Sequence, residues 1–486
     1  MPQRNSFLKS TLFVSFGRFV GLIFGFLFTP LLIRVLSKEE YGVFAAAFAL
    51  FGIFKLVSTG GLFDSVRKHI AEAKTEGKQT TVLSTGYLLG LVYSLVTIGL
   101  VYVIAIRIFD PNQAHLLVLF SVALVGVNLL DISKSAFHGR QQEQYAMLFH
   151  VLQRLIYLIA GVGLAVFYQV EGVIIGYIVS MYIAAVLGLV FVHRHFEGLI
   201  VRVSRTKEDF EPVAKYGAAQ LVGGLAAGML YKADILLIDY FLVSTATAAY
   251  QAALVLAEFI WFIPRVVQTV VLQNVATHWS KGNIERINTN LSGAMKWTLL
   301  VLILVSIGLF GLADPFVVIY YGQDYANSAT PLRILLLGTV LYGIARIFIP
   351  ALQATGMIVY TELMTVIALV INIGLNWWLI PIHGIVGAAV ATSVSYSLMV
   401  VGGLFLWKYT EMSFGSVGFF VRAGISTALF AVPYLTVIEL LTLPPVQMLI
   451  VCPPLGLALF LAASTLTGTI TKRDYRRIWS IVQTRL

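Results

Sequence analysis

Charged residues and cysteine are both scarce in this chain. Of 486 residues only 12% are Asp, Glu, Lys or Arg, against roughly 25% in soluble domains, whereas 59% are hydrophobic. This balance excludes a soluble globular protein and indicates an integral membrane protein. The apolar stretches run unbroken for about 20 residues, whereas the strands of a membrane barrel alternate over roughly 10, so the spans are predicted to be helices.

The near absence of cysteine removes two further possibilities. The single Cys452 excludes a disulfide within the chain and any cysteine metal cluster, and we expect it to be a small apolar residue of the last span. The sequence also contains neither a nucleophile paired with a base nor a glycine-rich phosphate-binding loop. We therefore predict a protein that is not an enzyme and that uses neither a cofactor nor a metal.

The chain contains fourteen apolar runs, each long enough to cross a ~30 Å hydrocarbon layer at about 1.5 Å per residue. The seventh run is about ten residues longer than a plain crossing needs, so we expect it to be tilted or broken near Gly223 and Gly224. The predicted spans are residues 7–33, 41–59, 82–106, 115–137, 145–168, 173–192, 213–243, 248–271, 294–313, 332–354, 360–380, 385–407, 419–438 and 446–467.

The 33 basic residues are distributed unevenly between the two sides of these spans. With a cytoplasmic N-terminus, 22 of them lie in inside segments and only Arg34, Lys38, Arg107 and Arg333 lie outside. Because basic residues accumulate on the cytoplasmic side, we predict a multi-pass protein of the cytoplasmic membrane with both termini inside. The net charge of +10 is then a topology signal and predicts no nucleic-acid partner. The basic segment 471–481 could contact anionic membrane lipids at the inner surface.

Three matches between the halves of the chain predict an internal duplication. Tyr41 and Tyr250 begin similar segments at an offset of 209, and His138 and Thr355 precede glycines at an offset of 217. The segments beginning at Gly172 and Gly384 match at an offset of 212. We predict an all-α polytopic membrane protein with two six-helix lobes related by a parallel repeat. The expected domains are an N-lobe over 1–195, a C-lobe over 196–412, two extra helices over 413–470 and a basic cytoplasmic tail over 471–486.

Seven basic residues fall inside the predicted spans, where a charge costs about 2.5 kcal/mol or more and normally faces a cavity, a partner or an interface. Five of them lie roughly 9 to 15 Å inside the inner boundary at ~1.5 Å per residue. This convergence suggests a cavity that is open to the cytoplasm and suited to a polyanionic head group. The alternatives are snorkelling to the interface and pairing with carboxylates. The five residues are Arg18, Lys55, Arg154, Arg265 and Arg346.

Three acidic residues also lie inside predicted spans. Glu258 is near the middle of the eighth span, and Asp234 and Asp239 are in the outer half of the seventh. They are candidates for proton or sodium sites, and the alternative is charge balance within the bundle.

Several motifs of the chain occur in a characteristic order. Residues 36–42, Leu-Ser-Lys-Glu-Glu-Tyr-Gly, are similar to an L-G-x-x-x-Y-G turn, although Ser37 stands where Gly is frequent. Residues 379–392 look much like L-I-P-x-x-G-x-x-G-A-A-x-A-T, and weaker matches occur at 234–242, 321–326, 332–335 and 353–356. On these motifs nearly the whole chain resembles the Wzx-type polysaccharide-unit flippases of the multidrug/oligosaccharidyl-lipid/polysaccharide exporter superfamily.

The resemblance implies a two-lobed bundle with a V-shaped central cavity lined by the first, second, seventh and eighth spans. It implies a flippase that moves an undecaprenyl-diphosphate-linked oligosaccharide from the inner to the outer leaflet by alternating access, for surface polysaccharide such as O-antigen or exopolysaccharide. Arg18, Lys55 and Arg265 would then be the foremost diphosphate ligands. Polysaccharide polymerases and glycosyltransferases are candidate partners. The alternative function on the same fold is an ion-coupled, MATE-like exporter of small molecules.

Overall fold

The computed structural model describes residues 2–196 and 207–483, and within these ranges the secondary structure is helical, without strands. The chain divides into two compact units, Met1–Ala248 and Ala249–Leu486. The first unit contains α1 (Pro2–Val35), α2 (Lys38–Thr59), α3 (Leu62–Glu72), α4 (Glu76–Ile108), α5 (Pro111–Ser121), α6 (Ala123–Gly139), α7 (Glu143–His195), α8 (Lys207–Leu230), α9 (Ala233–Phe241) and the start of α10 (Ser244–Phe259).

The second unit contains most of α10 and the remaining helices. Helices α16 and α17 pack on each other and on α12, around the buried side chains of Phe430, Tyr434 and Phe460. The helices that follow α10 are α11 (Phe262–Trp279), α12 (Ile284–Gly311), α13 (Ala313–Tyr321), α14 (Ala329–Ala354), α15 (Ile358–Trp407), α16 (Val417–Leu440), α17 (Pro445–Leu466) and α18 (Lys472–Gln483).

The number of membrane-length helices agrees with the predicted fold class. Among the described residues, nine helical stretches are long and apolar enough to cross a membrane, counting α2 with α3 and α5 with α6 as one stretch each. Two further pairs, α8 with α9 and α10 with α11, qualify as bent spans. Two of the nine, α7 and α15, have 53 and 50 residues and are each long enough for two crossings. With α1, these helices account for the fourteen predicted spans.

The seventh span is broken, but not where the sequence predicted. Helix α8 continues through Gly223 and Gly224, and the break comes at Tyr231 and Lys232, where α9 starts at an angle of 48° to α8. Two adjacent glycines weaken a helix without ending it when the neighbouring residues keep their hydrogen bonds. The eighth span has a corresponding 48° bend between α10 and α11.

The two long helices turn back on themselves with nearly the same backbone geometry. In α7 the turn is at Gln169, with φ 49° and ψ −128°, and in α15 it is at Gly384, with φ 57° and ψ −141°. Three residues later, Gly172 packs against the carbonyl of Leu164, and Gly387 packs likewise against that of Leu379. The structurally equivalent glycines are therefore 215 residues apart, and the offset of 212 inferred from the sequence is wrong by three residues.

The seventh span packs within the first unit. Helix α8 contacts α2, α3 and α4, and α9 contacts α2. The turn before α2, which contains the motif at residues 36–42, forms a capping box. The Ser37 hydroxyl accepts from the backbone N–H of Glu40 at 3.2 Å, and the Glu40 carboxylate accepts from the backbone N–H of Ser37 at 2.7 Å. The lobe boundary at residue 195 inferred from the repeat stays a prediction.

Candidate functional site: a cationic cavity in the first unit

A cavity of about 230 Å³ lies among α2, α6 and α7 of the first unit. Four basic side chains line it, together with a single carboxylate, Asp131. The basic residues are Lys55, Lys134, His150 and Arg154.

Helix geometry places these side chains together. Asp131 and Lys134 are three residues apart on α6, and His150 and Arg154 are four apart on α7, so each pair lies on one helix face. Glycines of α1 leave room for the α7 pair: a Cβ at Gly21 would lie 3.3 Å from Nε2 of His150. A larger residue there would push the imidazole, so the absence of a side chain allows α1 to pack against this face of α7.

Positive charge exceeds negative charge in this cavity. Asp131 forms an ion pair with Lys134 at 2.5 Å, and it also interacts electrostatically with Lys55 and His150. Lys55 has neither an ion pair within 4.0 Å nor a hydrogen bond to any residue in the described part of the chain. The described residues that line the cavity include Lys55, Lys134 and Arg154 but one carboxylate, so the cavity is suited to an anion.

Aromatic side chains also line the cavity. Tyr157 packs edge-to-face on Tyr177 with ring centroids 5.2 Å apart, and Phe48 packs in the same way on Tyr177 at 5.9 Å. Beside them, the amide of Gln153 donates to the hydroxyl of Ser180 at 3.1 Å. Packed rings and a fixed amide give this part of the lining a defined shape.

A further basic residue, Lys232, lies at the break of the seventh span. Its Nζ is 5.8 Å from the ring centroid of Phe48, a residue that also lines the cavity. Its Cε would be 3.8 Å from a Cβ at Gly52. The break between α8 and α9 thus directs a cation toward α2.

In the second unit, two of the predicted cations lie against one tryptophan. The guanidinium carbons of Arg265 and Arg346 are 5.8 and 5.3 Å from the ring centroid of Trp261, which is buried. Arg346 also donates to the side-chain oxygen of Gln268 at 2.9 Å and lies 4.8 Å from the ring of Tyr342. Contact with an aromatic face attracts a guanidinium electrostatically and restricts its orientation.

The three acidic candidates have different surroundings. Glu258 forms an ion pair with Arg265 at 3.9 Å. Asp234 is 1% exposed within the first unit. Asp239 lines a small cavity of about 30 Å³ among α2, α5 and α9, roughly the volume that holds one water.

The structure brings together some of the predicted site residues. Lys55 and Arg154 line one cavity, and Arg265 and Arg346 share Trp261. The side chain of Arg18 lies outside the described residues, so its role stays a prediction, as do the binding roles of the other four.

Sequence reasoning missed Asp131, Lys134 and His150 as members of this site. It assigned Lys134 to the topology signal and His150 to an interface, because both lie near predicted span ends. The available signal was the helical spacing of His150 to Arg154 and of Asp131 to Lys134. Among the described residues, no three His, Cys, Asp or Glu side chains are grouped to hold a metal ion.

The helices define a polytopic membrane protein with the fold of known exporters. The chain is similar to a solved structure of lipid II flippase MurJ in an inward closed conformation, with a TM-score of 0.79, 18% identity, and coverage of 94% of this chain and 98% of that one. It is also similar to an inward-facing MATE family transporter, with a TM-score of 0.66, 16% identity and coverage of 81% and 94%.

The sequence then identifies the family. The pattern of the polysaccharide biosynthesis protein family matches residues 7–272, more than half of the chain, and that of lipid II flippase MurJ matches residues 218–452. The chain belongs to the polysaccharide biosynthesis protein family, and the resemblance inferred from its motifs is confirmed.

Two relatives match most of the chain. A probable low-salt glycan biosynthesis flippase, Agl15, of Haloferax volcanii is 24% identical, covering 84% of this chain and 87% of that protein. A putative O-antigen transporter of Shigella flexneri is 22% identical, covering 84% and 98%.

Proposed function

We propose that this protein is a flippase for an undecaprenyl-diphosphate-linked oligosaccharide, moving it from the inner to the outer leaflet of the cytoplasmic membrane by alternating access. The product would supply surface polysaccharide synthesis, with polymerases and glycosyltransferases as candidate partners. The family and the names of its relatives support a glycan flippase. The substrate, the direction and the membrane are our proposal.

One observation carries the proposal: the cavity lined by Lys55, Lys134, His150 and Arg154 lies between helices of membrane length and has one carboxylate. Lys55 lies in α2 with no carboxylate within 4.0 Å among the described residues, and a charge at such a place is costly unless a ligand neutralises it. A diphosphate suits this lining, because a guanidinium binds two phosphate oxygens through parallel hydrogen bonds and an ammonium adds a point charge.

The polyprenyl chain and the sugars place further demands on the site. A lipid tail can stay in the hydrocarbon while its charged head group crosses, so the protein has to neutralise and shield the diphosphate. We include Arg18, Arg265 and Arg346 as further diphosphate ligands. For Glu258, 3.9 Å from Arg265, we propose charge balance, and Asp234 and Asp239 are the candidates for ion coupling.

The test replaces the cavity cations one at a time. We expect Lys55→Ala and Arg154→Ala to lower affinity for undecaprenyl diphosphate by about 10- to 100-fold each, since a charge-assisted hydrogen bond contributes roughly 1.5–3 kcal/mol. In cells at matched protein levels, both variants should lose surface polysaccharide and accumulate lipid-linked oligosaccharide on the cytoplasmic side.

The matched control is Arg422→Ala, which removes an exposed basic residue of α16 in the second unit. It should retain wild-type binding and polymer. Full polymer in both cavity variants would contradict the diphosphate role.

The same lining separates this function from the exporter of small molecules. Cationic drugs need an acidic binding cavity, whereas this cavity has an excess of bases. Overexpression should therefore leave resistance to cationic drugs unchanged, and increased resistance would favour the exporter.

A further inference from the structure

A second cavity adjoins the cationic cavity in the first unit. It has a volume of about 310 Å³ and lies among α2, α3, α6 and α8. Lys55 and Asp131 line both cavities, so a ligand bound by Lys55 in the first would have its neighbouring group in the second. Besides these two residues, the polar side chains of the second cavity are Thr59, Asp64 and Gln220.

These polar groups still have hydrogen-bonding capacity. Gln220 makes no hydrogen bond to any other described residue, so its amide can both donate and accept. Asp64 uses one oxygen for Arg67 at 2.8 Å and retains the other. Thr59 donates to the carbonyl of Leu56 at 3.1 Å, and its lone pairs can accept.

The lining of the second cavity suits a different kind of ligand from the lining of the cationic cavity. Neutral donors and acceptors here are interleaved with the apolar surfaces of Leu56, Phe63 and Leu221. A sugar has both features, because its hydroxyls donate and accept and its C–H faces are apolar. A second phosphate would instead lie near two carboxylates, which repel it.

The backbone around this cavity is held in place by close packing. Gly61 has a φ of 67°, and a Cβ there would collide with the carbonyl of Gly217 on α8. The hydroxyl of Ser65 also donates to the carbonyl of Val213 at 2.8 Å, joining α3 to α8. The polar groups on α2, α3 and α8 thus have fixed spacing, which selective recognition requires.

We propose that the second cavity binds the sugar unit attached directly to the diphosphate, with Gln220 and Thr59 as residues that determine sugar specificity. The proposal rests on the proposed function, since the sugar reaches this cavity only when the diphosphate is held at Lys55. It predicts that this chain discriminates between substrates by their first sugar.

The test compares two kinds of ligand in nanodiscs. One is undecaprenyl diphosphate, and the other is the same lipid carrying a single glucose, galactose, N-acetylglucosamine or N-acetylgalactosamine. We expect the wild type to bind at least one glycosylated form more tightly than the bare lipid. Gln220→Leu should weaken the tightest glycosylated form by about 5- to 10-fold, and leave the bare lipid unchanged, because a neutral hydrogen bond and its desolvation account for roughly that factor.

Thr59→Val is the second variant, and it should change the order of preference among the four sugars. The matched control is Gln447→Leu, at an exposed position of α17 in the second unit. Retained binding of the bare lipid shows that each variant is folded.

The outcomes separate the two proposals. If the wild type binds no form of the lipid, the proposed function fails. If it binds the bare lipid as tightly as every glycosylated form, the sugar site is overturned while the diphosphate site stands. Equal losses for bare and glycosylated lipid in Gln220→Leu, or no loss in both variants, also overturn the sugar site.

Discussion

At the scale of residues, the first unit contains a buried ion pair and a buried hydroxyl whose effects on binding and stability can be tested. Asp131 is the carboxylate of the cationic cavity, and its partner Lys134 lies at 2.5 Å with both side chains about four-fifths buried. Tyr157 is 8% exposed, and its hydroxyl has no hydrogen-bond partner among the described residues. We expect Asp131 to compete with a bound anion, and the unpaired Tyr157 hydroxyl to reduce the stability of the fold.

Replacing Asp131 should strengthen anion binding. In Asp131→Asn the internal carboxylate that competes for Lys55 and Lys134 is gone, so we expect affinity for undecaprenyl diphosphate to rise by about 3- to 10-fold. Thermal stability should fall, by about 1–3 kcal/mol, because Lys134 loses its partner. Nanodisc binding and thermal unfolding measure the two effects. Glu72→Gln, at an exposed position of α3, is the control, and unchanged affinity in Asp131→Asn would count against the competition.

Removing the Tyr157 hydroxyl should stabilise the protein. An unpaired buried hydroxyl costs about 1–3 kcal/mol, so Tyr157→Phe should unfold at a higher temperature than the wild type. The matched control is Tyr250→Phe, which loses the 3.2 Å hydrogen bond to Thr392 and should unfold at a lower temperature. Scanning fluorimetry at equal detergent concentration compares them, and a destabilised Tyr157→Phe would contradict the assignment.

At the scale of helices, the turn of α7 has an unusual backbone conformation, and the tail helix α18 docks on α12. The turn of α7 places a non-glycine residue, Gln169, at φ 49°, where α15 has Gly384. The tail helix α18 is attached to α12 by the ion pair of Asp474 with Lys296 at 2.7 Å, and Tyr475 hydrogen-bonds Thr465 at 2.9 Å. Its exposed Trp479 and basic residues suit a lipid surface.

Exchanging the residues at the two helix turns should have opposite effects. Gln169 is exposed, so Gln169→Gly removes backbone strain of about 1–3 kcal/mol with little loss of packing, and should raise the unfolding temperature. Gly384→Gln introduces the same strain and should lower it. Gly418→Gln in α16, where a Cβ meets no atom within 4 Å, controls for side-chain size. Equal effects of Gly384→Gln and Gly418→Gln would contradict the strain argument.

Docking of α18 should depend on pH. Partial burial raises the pKa of Asp474, but hydrogen bonds from Lys296 and Thr471 outweigh it, so the pKa lies below its usual value. The docking free energy is therefore complete above the pKa of the undocked carboxyl, about 4, and is lost as pH falls through the lower pKa of the docked one.

Hydrogen exchange of residues 472–483 over a descending pH series measures this loss. At neutral pH, Asp474→Asn should exchange several-fold faster than the wild type, whereas Glu411→Gln, at an exposed position before α16, should not. Protection of α18 that is independent of pH and of Asp474 would show that the ion pair does not dock it.

At the scale of the whole molecule, the number of helices has a direct consequence for topology. Fourteen crossings would put both termini on one side, and from the distribution of basic residues we predict that this side is the cytoplasm. In a Cys452→Ala background, an impermeant maleimide should label Asn112→Cys in intact cells. It should label Lys74→Cys and Lys472→Cys only after permeabilisation. Labelling of Lys74→Cys in intact cells would show that the orientation is opposite to the predicted one.

The sequence by itself determined the fold class and the family. Long apolar runs with few charges can satisfy their backbone hydrogen bonds in a membrane only as helices, and the motif at 379–392 needs no tertiary information. The sequence also predicted that Lys55 and Arg154 face a cavity, because a cation in an apolar run is costly wherever the helix packs, and both side chains line one.

Only the tertiary structure decided which side chains share a cavity. Asp131 and His150 join Lys55 because α6 and α7 present those faces toward α2, and helix rotation is set by packing between helices rather than by the run of apolar residues. The break at Lys232, eight or nine residues beyond the glycine pair, likewise follows from the packing of α8 and α9 on α2, since helix propensity is small compared with tertiary contacts.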